Sequence, residues 1–207
     1  MLDKKIILIG YSGHGIVVVD TAIENQLHIV DYAENSIVQN NPFQLKYNGN
    51  EREDGFFEKN KGAKYLIGIG DNEIREKIYN LIIAKESEIL TLISQSASIS
   101  KTASIGSGTF VNKNVSINAF AKIGKNVILN TACIIEHDCI IEDSVHIAPG
   151  AVLAGNVTVG ERSFIGANSV IKQGVVIGKD VIIGAGTVVL KDIPNGKKIV
   201  GNPSRFI

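Results

Sequence analysis

The stretch Ile117–Leu153 decides the fold, because it divides into groups of six that each begin with Ile or Leu: INAFAK IGKNVI LNTACI IEHDCI IEDSVH IAPGAV L. The same period reaches back to Ile99 and forward to Val189, so sixteen positions spaced by six hold only Ile, Leu or Val. A sustained six-residue aliphatic period indicates a parallel β-helix, in which short repeats stack into coils. We therefore predict an uninterrupted β-helix over residues 99–194.

Two further positions in each group of six support this prediction. The residue four places after each aliphatic position is small or β-branched almost throughout, and the residue before it is Asn, Asp or Gly in eleven of the sixteen groups. Asn, Asp and Gly tolerate the positive φ of a tight corner. We expect one short strand per group, with the aliphatic and small side chains pointing inward, and three strands per coil.

The N-terminal part of the chain begins as an alternating α/β unit. Lys5-Ile6-Ile7-Leu8-Ile9 is typical of a buried strand, and the glycine-rich turn Gly10–Gly15 leads into a helix predicted over 16–25. A second strand is predicted over 27–30, ending at Asp31. Strand, glycine turn, helix and strand in this order are typical of a doubly wound fold.

The α/β pattern continues after a polar segment at 35–61, which is predicted to be loop with short strands. A third strand is predicted over 64–69, followed by a helix that Asp71 or Asn72 can cap. We thus expect a Rossmann-like α/β domain over 1–90 and an all-β domain, the β-helix, over 91–207.

The composition argues against several partners. Basic and acidic residues number 21 each, which leaves no excess charge for nucleic acid or an anionic membrane surface. No apolar stretch approaches the ~18 residues of a membrane span, and the N-terminus has no secretory leader, so no membrane insertion and a cytoplasmic location are expected. Cys133 and Cys139 fall in the small inward register, where they are expected to fill space.

Two of the four histidines lie within the repeat and are candidates for chemistry. His137 and His146 occupy neither inward register, so both side chains are expected to project outward, which disfavours a buried structural role. Glu136 and Asp138 flank His137, and a carboxylate beside an imidazole fixes its tautomer and suits it to act as a general base. The alternative is a pair of solvated surface histidines.

The glycine-rich turn also has two interpretations. A turn between a strand and a helix N-terminus can hold the diphosphate of a nucleotide, and it can equally serve close packing. A nicotinamide-dependent dehydrogenase is not expected, because the α/β segment is too short for a fold with two nucleotide-binding halves.

The motifs resemble one family over essentially the whole chain. Asn130-Thr131-Ala132-Cys133-Ile134-Ile135-Glu136-His137-Asp138-Cys139, His146 and Ala154-Gly155-Asn156-Val157 resemble the NeuD and PglD group of bacterial sugar acetyltransferases, as do Gly10–Gly15, Asp31 and Gly70-Asp71-Asn72-Glu73-Ile74-Arg75. The resemblance implies a left-handed β-helix and a homotrimer that holds acetyl-CoA between subunits. It also implies a nucleotide-sugar substrate.

The resemblance further assigns roles to individual residues. His137 matches the catalytic base, and Asp138 stands where the family usually has a Glu that acts as the acidic partner. His146, the Gly155 backbone N–H, Ala167 and Ala185 match positions that contact acetyl-CoA, and Arg205 is a candidate for a CoA phosphate. The nucleotide-sugar site comprises Gly10, Ser12, Gly13, His14, Asp31 and Asn72.

These observations leave several functions open. The leading hypothesis is an acetyl-CoA-dependent N-acetyltransferase that acts on a nucleotide-linked amino sugar for glycan or surface-polysaccharide biosynthesis. Alternatives are an O-acetyltransferase on a sialic-acid-like sugar and a non-catalytic trimeric scaffold that binds nucleotide-sugars. A β-helix carbonic anhydrase would need three histidines on zinc, whereas the repeat holds two, so no metal is expected.

Overall fold

A computed structural model describes residues 5–207. The chain forms two compact units, and the boundary along the sequence lies between Leu92 and Ile93. The first unit is a parallel five-stranded sheet with helices, in the strand order β3-β2-β1-β4-β5. Its elements are β1 (Ile6–Ile9), α1 (Gly13–Glu24), β2 (Ile29–Ala33), β3 (Lys46–Tyr47), α2 (Phe56–Lys59), β4 (Lys64–Ile67), α3 (Asn72–Ala84) and β5 (Glu88–Ile89).

The sequence indicates β1, α1, β4 and α3, but α1 begins at Gly13, three residues before the predicted start, and α2 lies in the segment predicted to be loop with short strands. The four residues of β1 are buried, as expected for a strand covered on both faces. Asp71 caps α3, its Oδ1 accepting the Ile74 N–H at 2.9 Å. The predicted strand over 27–30 is wrong in its limits, because β2 begins at Ile29 and extends to Ala33, which places Asp31 within the strand.

The second unit consists of two-residue strands that repeat every six residues and pair every eighteenth residue in parallel. The strands are β6 (Leu92–Ile93), β7 (Ser98–Ile99), β8 (Ser104–Ile105), β9 (Phe110–Val111), β10 (Ser116–Ile117), β11 (Lys122–Ile123), β12 (Ile128–Leu129), β13 (Ile134–Ile135), β14 (Ile140–Ile141), β15 (His146–Ile147), β16 (Val152–Leu153), β17 (Thr158–Val159), β18 (Phe164–Ile165), β19 (Val170–Ile171), β20 (Val176–Ile177), β21 (Ile182–Ile183) and β22 (Val188–Val189), closed by β23 (Lys198–Val200) and β24 (Arg205–Phe206).

Three sheets form the faces of this prism. Face 1 contains β7, β10, β13, β16, β19 and β22; face 2 contains β8, β11, β14, β17 and β20; face 3 contains β6, β9, β12, β15, β18, β21, β23 and β24. All pairs are parallel except β23 with β24. The partner of Ile117 in the next coil is Ile135, eighteen residues further along, as the six-residue period predicts for a three-sided coil.

The interior is the aliphatic column that the sequence predicts. Fourteen of the sixteen aliphatic positions are buried, and the two partly exposed ones, Ile99 and Ile105, pack against the column in its first coil. Cys133 and Cys139 are buried, unpaired thiols within it, and burial raises the pKa of Cys133 to about 12. Such a thiol fills space and is not a nucleophile at neutral pH.

The corners are more regular than the residue types suggest. Every corner position spaced by six from Gly108 to Gly186 has a positive φ, in accord with the expected Asn, Asp and Gly preference. Four of these positions hold other residues, namely Phe120, Ala132, Ser144 and Arg162. The stacked coils therefore impose the left-handed backbone conformation even where the local residue disfavours it.

Candidate functional site

Two edges of the prism hold the candidate residues of the second unit. Edge A is the corner between faces 1 and 2, where residues from successive coils form the stack Ala119, His137, Gly155, Gln173 and Lys191. Edge B is the corner between faces 3 and 1, with the stack Lys113, Thr131, Pro149, Ala167 and Ala185. Face 1 lies between the two edges.

His137 projects outward at edge A and is paired with the carboxylate that follows it. Its Nδ1 lies 2.9 Å from Oδ2 of Asp138, and both side chains are about half exposed in the single chain. Asp138 therefore reaches the ring although it is one methylene shorter than the Glu usual in the family. Since a carboxylate only accepts, Nδ1 is the donor in this contact, and in the neutral ring Nε2 then presents its lone pair, which is the form a general base needs.

Gly155 lies directly beneath the His137 ring, in the next coil of edge A. A Cβ at Gly155 would lie 2.5 Å from both Cε1 and Nε2 of His137, so only glycine allows the ring to occupy this place. Its position is fixed further by the Asn156 N–H, which donates to the His137 carbonyl at 2.8 Å. Within residues 5–207 the Gly155 N–H has no hydrogen-bond acceptor, so it can still donate to a ligand.

His146 lies on the outer surface of face 3, beside edge B, but it is buried. Only 8% of the residue is exposed, and its ring meets the ring of Phe164 edge-on at a centroid distance of 5.0 Å. Its Nε2 lies 3.3 Å from Nδ2 of Asn130. The expectation that neither histidine is buried is therefore wrong for His146, because aromatic and amide side chains of neighbouring coils cover an outward-facing position.

Ala167 and Ala185 occupy successive coils of edge B and leave it shallow there. One chain thus brings together His137, Asp138 and Gly155 at edge A. It places His146, Ala167 and Ala185 at or beside edge B, on the other side of face 1. The predicted residues consequently form two half-sites on a single chain.

Arg205 contributes to a pocket at the C-terminal end of the β-helix. The pocket has a volume of about 310 Å³, and Lys191, the last residue of the edge A stack, also lines it. Both cations therefore lie at the same end of the prism, three coils beyond His137 in the case of Lys191.

In the first unit, the glycine-rich turn contains glycines of two kinds. Gly10 has a φ of 86°, and a Cβ there would lie 2.4 Å from Ile69. A Cβ on Gly15 or Gly68 would come within 2.4 Å of the Gly10 carbonyl oxygen, so close packing requires glycine at these positions. Gly13 is different, because a Cβ there would meet no described atom within 4 Å. Its missing side chain leaves the start of α1 open to an approaching group.

The N-cap residue of α1 makes no capping hydrogen bond through its side chain. Ser12 is the N-cap residue, but its side chain accepts no backbone N–H, and the first turn contains no acidic residue. The start of α3, by contrast, is capped by Asp71. An uncapped helix start presents N–H groups and a partial positive charge, which favour an anion such as a phosphate.

His14 in the first turn of α1 is held neutral. Burial, and secondly the positive charge of Arg75, lower the pKa of His14 to about 4. The buried Arg75 guanidinium donates to the carbonyl oxygen of Gly70 at 3.1 Å and so supports the loop between β4 and α3. Asn72, the first residue of α3, follows this loop and is partly exposed.

The acidic residue next to the glycine turn is Glu34 and not Asp31. Asp31 is buried in β2 and forms an ion pair with Lys5 at 2.5 Å. Glu34 follows the carboxyl end of β2, and its Oε2 accepts the Tyr11 N–H at 3.2 Å. Sequence reasoning missed Glu34 because it placed the end of β2 too early.

The described residues contain no group of three or more His, Cys, Asp or Glu side chains arranged to hold a metal ion. Within residues 5–207, no helix has the length and apolar character needed to cross a bilayer.

Solved structures of three proteins resemble the whole chain. A His-to-Asn variant of perosamine N-acetyltransferase from Caulobacter crescentus, in complex with CoA and GDP-perosamine, has a TM-score of 0.94 at 28% identity, covering 99% of this chain and 97% of that chain. The acetyltransferase domain of PglB from Neisseria gonorrhoeae FA1090, in complex with acetyl coenzyme A, has a TM-score of 0.92 at 31% identity, covering 99% of both chains. WeeI from Acinetobacter baumannii AYE has a TM-score of 0.87 at 27% identity, covering 99% of this chain and 100% of that chain.

Family comparisons assign the two units separately. Residues 5–82 match the PglD N-terminal domain, residues 120–155 match the bacterial transferase hexapeptide (six repeats), and residues 156–191 match the hexapeptide repeat of succinyl-transferase. A search of curated proteins gives no match. The expected fold, an α/β unit followed by a left-handed parallel β-helix, and the expected acyltransferase class are confirmed. The chain therefore belongs to the NeuD and PglD type of hexapeptide-repeat sugar acetyltransferases.

Proposed function

We propose that this protein transfers the acetyl group of acetyl-CoA to the amine of a nucleotide-linked amino sugar. The observation that carries the proposal is the His137–Asp138 pair lying against Gly155 at edge A. Relatives of the same family were crystallised with acetyl coenzyme A and with GDP-perosamine, which supports both substrates. The product supplies glycan or surface-polysaccharide assembly.

The geometry at edge A suits this reaction. Nε2 of His137 takes a proton from the amine as its nitrogen attacks the thioester carbonyl carbon, and the C–S bond breaks to release CoA, which receives the proton. The Gly155 N–H donates to the carbonyl oxygen as negative charge develops on it. Asp138 keeps the proton of the neutral ring on Nδ1 and stabilises the imidazolium. No residue is acylated, because holding the two substrates together supplies much of the rate enhancement.

The nucleotide part of the substrate is assigned to the first unit. The uncapped start of α1, with Gly13 open above it and Gly10 and Ser12 in the preceding turn, receives the diphosphate. A neutral His14 can donate or accept there without a change of charge. Asn72 completes the predicted contacts, and Glu34 takes the place of Asp31 as the acid facing the ribose or base.

Acetyl-CoA is assigned to the surface of the β-helix that runs along its axis from His137 toward Lys191. The thioester end lies at Gly155 and His146, and Ala167 and Ala185 leave room for the chain of the co-substrate. Three coils at ~4.8 Å each separate His137 from Lys191, a distance of about 14 Å that the extended pantetheine arm can span. Lys191 and Arg205 supply cations for the phosphates in the terminal pocket.

We propose a homotrimer in which each site is shared between two copies. Face 1 carries an outward row that is aliphatic from Ile134 through Val152 and Val170 to Val188. Three copies with face 1 around a three-fold axis would bring edge A of one copy to edge B of the next. This arrangement unites the two half-sites that a single chain keeps apart.

The proposal is tested by measuring free thiol release from acetyl-CoA with a panel of UDP- and GDP-linked amino sugars and their hydroxy analogues. Release with an amino sugar and not with its hydroxy analogue supports the proposal. Release only with the hydroxy sugar would indicate an O-acetyltransferase, and no release with any acceptor would favour a binding scaffold. His137→Ala should lower turnover at least about a hundredfold. The matched control is His28→Ala, which changes an exposed histidine outside both half-sites.

A further inference from the structure

Phe120 is an exposed aromatic residue at a corner of the prism where its backbone conformation is unfavourable. Its φ is 61°, in the left-handed region that Gly, Asn and Asp favour, and 60% of the residue is exposed. A bulky side chain at positive φ costs free energy, and a ring that stays in water recovers little of that cost through burial. The corner would therefore be more stable with Asn or Gly in place of Phe120.

Two other corners with residues that disfavour a positive φ are compensated by contacts within the chain. Arg162 pairs with Asp180 in the next coil, with Nε 2.7 Å from Oδ1 and Nη2 3.1 Å from Oδ2. Ser144 is buried, and its Oγ accepts the Asn126 amide at 2.9 Å. A single exposed apolar side chain is common on protein surfaces. Phe120 combines an exposed ring with a strained backbone, and this combination indicates that the ring is kept for a group outside the chain.

The preceding coil holds the corner at Phe120 in place. The Phe120 N–H donates to Oγ1 of Thr102 at 3.1 Å, and the same Oγ1 lies 3.0 Å from Oγ of Ser100. The Ala121 N–H closes the turn by donating to the Asn118 carbonyl at 3.3 Å. The backbone that carries the ring is thus fixed before a ligand arrives, which lowers the entropy lost on binding.

Phe120 lies one coil from the His137–Asp138 pair. Phe120 and Asp138 occupy the same corner position in successive coils, which are ~4.8 Å apart. Along edge A, the coil of Phe120 precedes that of His137, and the coil of Gly155 follows it. The proposed function assigns acetyl-CoA to the coils that run from Gly155 toward Lys191. The acceptor is then left the side of His137 on which Phe120 lies.

We propose that Phe120 is an acceptor-binding residue whose ring packs against the C–H groups of the sugar. The inference rests on the proposed function, in which the acceptor amine lies at Nε2 of His137. The sugar ring carries that amine, so it is the part of the substrate that comes within one coil of the base. Its weakly positive C–H groups suit the negative face of an aromatic ring. Ala119, which precedes His137 in the stack of edge A, has a small side chain that leaves room for the sugar beside the imidazole.

The contact is tested with Phe120→Trp, which places the only tryptophan of the chain at this corner. CoA replaces acetyl-CoA so that no acetyl transfer occurs. The tryptophan emission should move to shorter wavelength when a UDP- or GDP-linked amino sugar is added, because the sugar displaces water from the indole, and UDP or GDP alone should leave it unchanged. The matched control is Lys125→Trp, at an exposed position of the same coil between faces 2 and 3, whose emission no ligand should change.

Three results of this experiment would overturn the inference. A shift with UDP or GDP alone would assign the ring to the nucleotide, and a shift that follows dissociation of an oligomer without ligand would assign it to a contact between copies. The third is the absence of a shift with every sugar of the panel. If the wild-type protein releases no thiol with any acceptor but the shift with a nucleotide-sugar is observed, the proposed function fails and the sugar contact stands.

Phe120→Asn separates substrate binding from a structural role. Asn favours a positive φ, so the unfolding temperature measured by circular dichroism should stay equal or rise. Loss of the ring should raise KM for the nucleotide-sugar about tenfold and leave KM for acetyl-CoA unchanged. Phe120→Tyr keeps the aromatic face and should retain the wild-type KM. An unchanged KM for the nucleotide-sugar in Phe120→Asn would remove Phe120 from the acceptor site.

Discussion

At the scale of single residues, the candidate site at edge A depends on neighbouring groups that fix the position of the His137 ring. The Asp138 carboxylate orients the His137 ring, and Gly155 is a glycine because an imidazole occupies the place of its side chain. None of these constraints comes from backbone conformation. The Asp138 contact is made by the residue next to His137, whereas the Gly155 contact joins two coils that are eighteen residues apart in sequence.

Gly155→Ala should impair catalysis because the added methyl collides with His137. With Cβ 2.5 Å from the ring, His137 must turn away and lose its contact with Asp138. We expect kcat/KM to fall at least about tenfold, since the ring no longer presents Nε2 to the acceptor. The control is the same change in a His137→Ala background, where the space is empty and no further loss of acetyl-CoA affinity should occur. An equal loss of acetyl-CoA affinity on Gly155→Ala in both backgrounds would contradict this explanation.

The free energy of unfolding of the first unit should decrease as the pH is lowered, because His14 has a lowered pKa in the folded protein. Its pKa of about 4 in the folded protein lies below the ordinary 6.5, so the unfolded chain binds a proton first as the pH falls. The contribution is fully present above pH 6.5 and is lost progressively toward pH 4. At ~1.4 kcal/mol per pH unit below 6.5, the free energy of unfolding should drop by about 2 kcal/mol at pH 5.

This pH dependence can be measured on the whole chain with a signal that comes from the first unit. All five tyrosines of the chain lie before residue 80 and there is no tryptophan, so tyrosine fluorescence reports urea unfolding of that unit. His14→Gln should reduce the difference in unfolding free energy between pH 7.5 and pH 5. Equal differences in the variant and the wild-type protein would mean that His14 is not held neutral.

At the scale of elements, the two long helices of the first unit differ at their starts. The carboxylate of the N-cap residue Asp71 caps α3, whereas the side chain of the N-cap residue Ser12 does not cap α1. A helix start without a capping side chain sacrifices stability unless another group satisfies its N–H donors, and a bound phosphate does so. The difference favours α1 as the helix that receives the diphosphate in the proposed function.

Gly13→Ala should therefore separate stability from binding. The helical backbone at this position suits alanine and the methyl meets no described atom, so stability should stay equal or rise by about 0.4–1 kcal/mol. The same methyl should obstruct the diphosphate and raise KM for the nucleotide-sugar about tenfold. Gly10→Ala is the contrasting variant, since its φ of 86° and the contact with Ile69 should make it unstable. An unchanged KM in Gly13→Ala would remove the start of α1 from the site.

At the scale of the whole molecule, the candidate residues lie on two edges of one prism. His137 and Gly155 lie on edge A, whereas His146 lies beside edge B, and face 1 separates the two edges. A catalytic site that needs both sets requires either a ligand that spans a face or a second copy of the chain. The proposed cyclic association through face 1 would provide the second copy at each edge.

Shared sites predict complementation between inactive variants. His137→Ala and His146→Ala proteins, each weakly active alone, should regain about one quarter of wild-type activity when unfolded together in equal amounts and refolded, because that share of interfaces pairs two intact edges in a cyclic trimer. Refolding wild-type protein with the double variant gives the matched reference. If the two residues act within one chain, the mixture of single variants will show no gain. Native mass spectrometry should give three times the chain mass of 22.2 kDa.

The sequence by itself determined the β-helix, because a six-residue period leaves one way to bury the aliphatic column that runs from Ile99 to Val189. It also determined the glycine turn, the capping of α3 and the outward direction of His137. These features depend on local chemistry repeated along the chain, and periodicity makes each repeat confirm the others.

Only the tertiary structure decided what lies next to each functional group. The burial of His146 under Phe164, the ring of His137 above Gly155 and the position of Glu34 at the turn all arise from residues that are distant in sequence or from a strand end that shifted by a few residues. The corners at Phe120 and Arg162 show the same effect, since stacking overrides local preference there. A sequence pattern fixes which direction a side chain faces, whereas its partners depend on how coils and strands come into register.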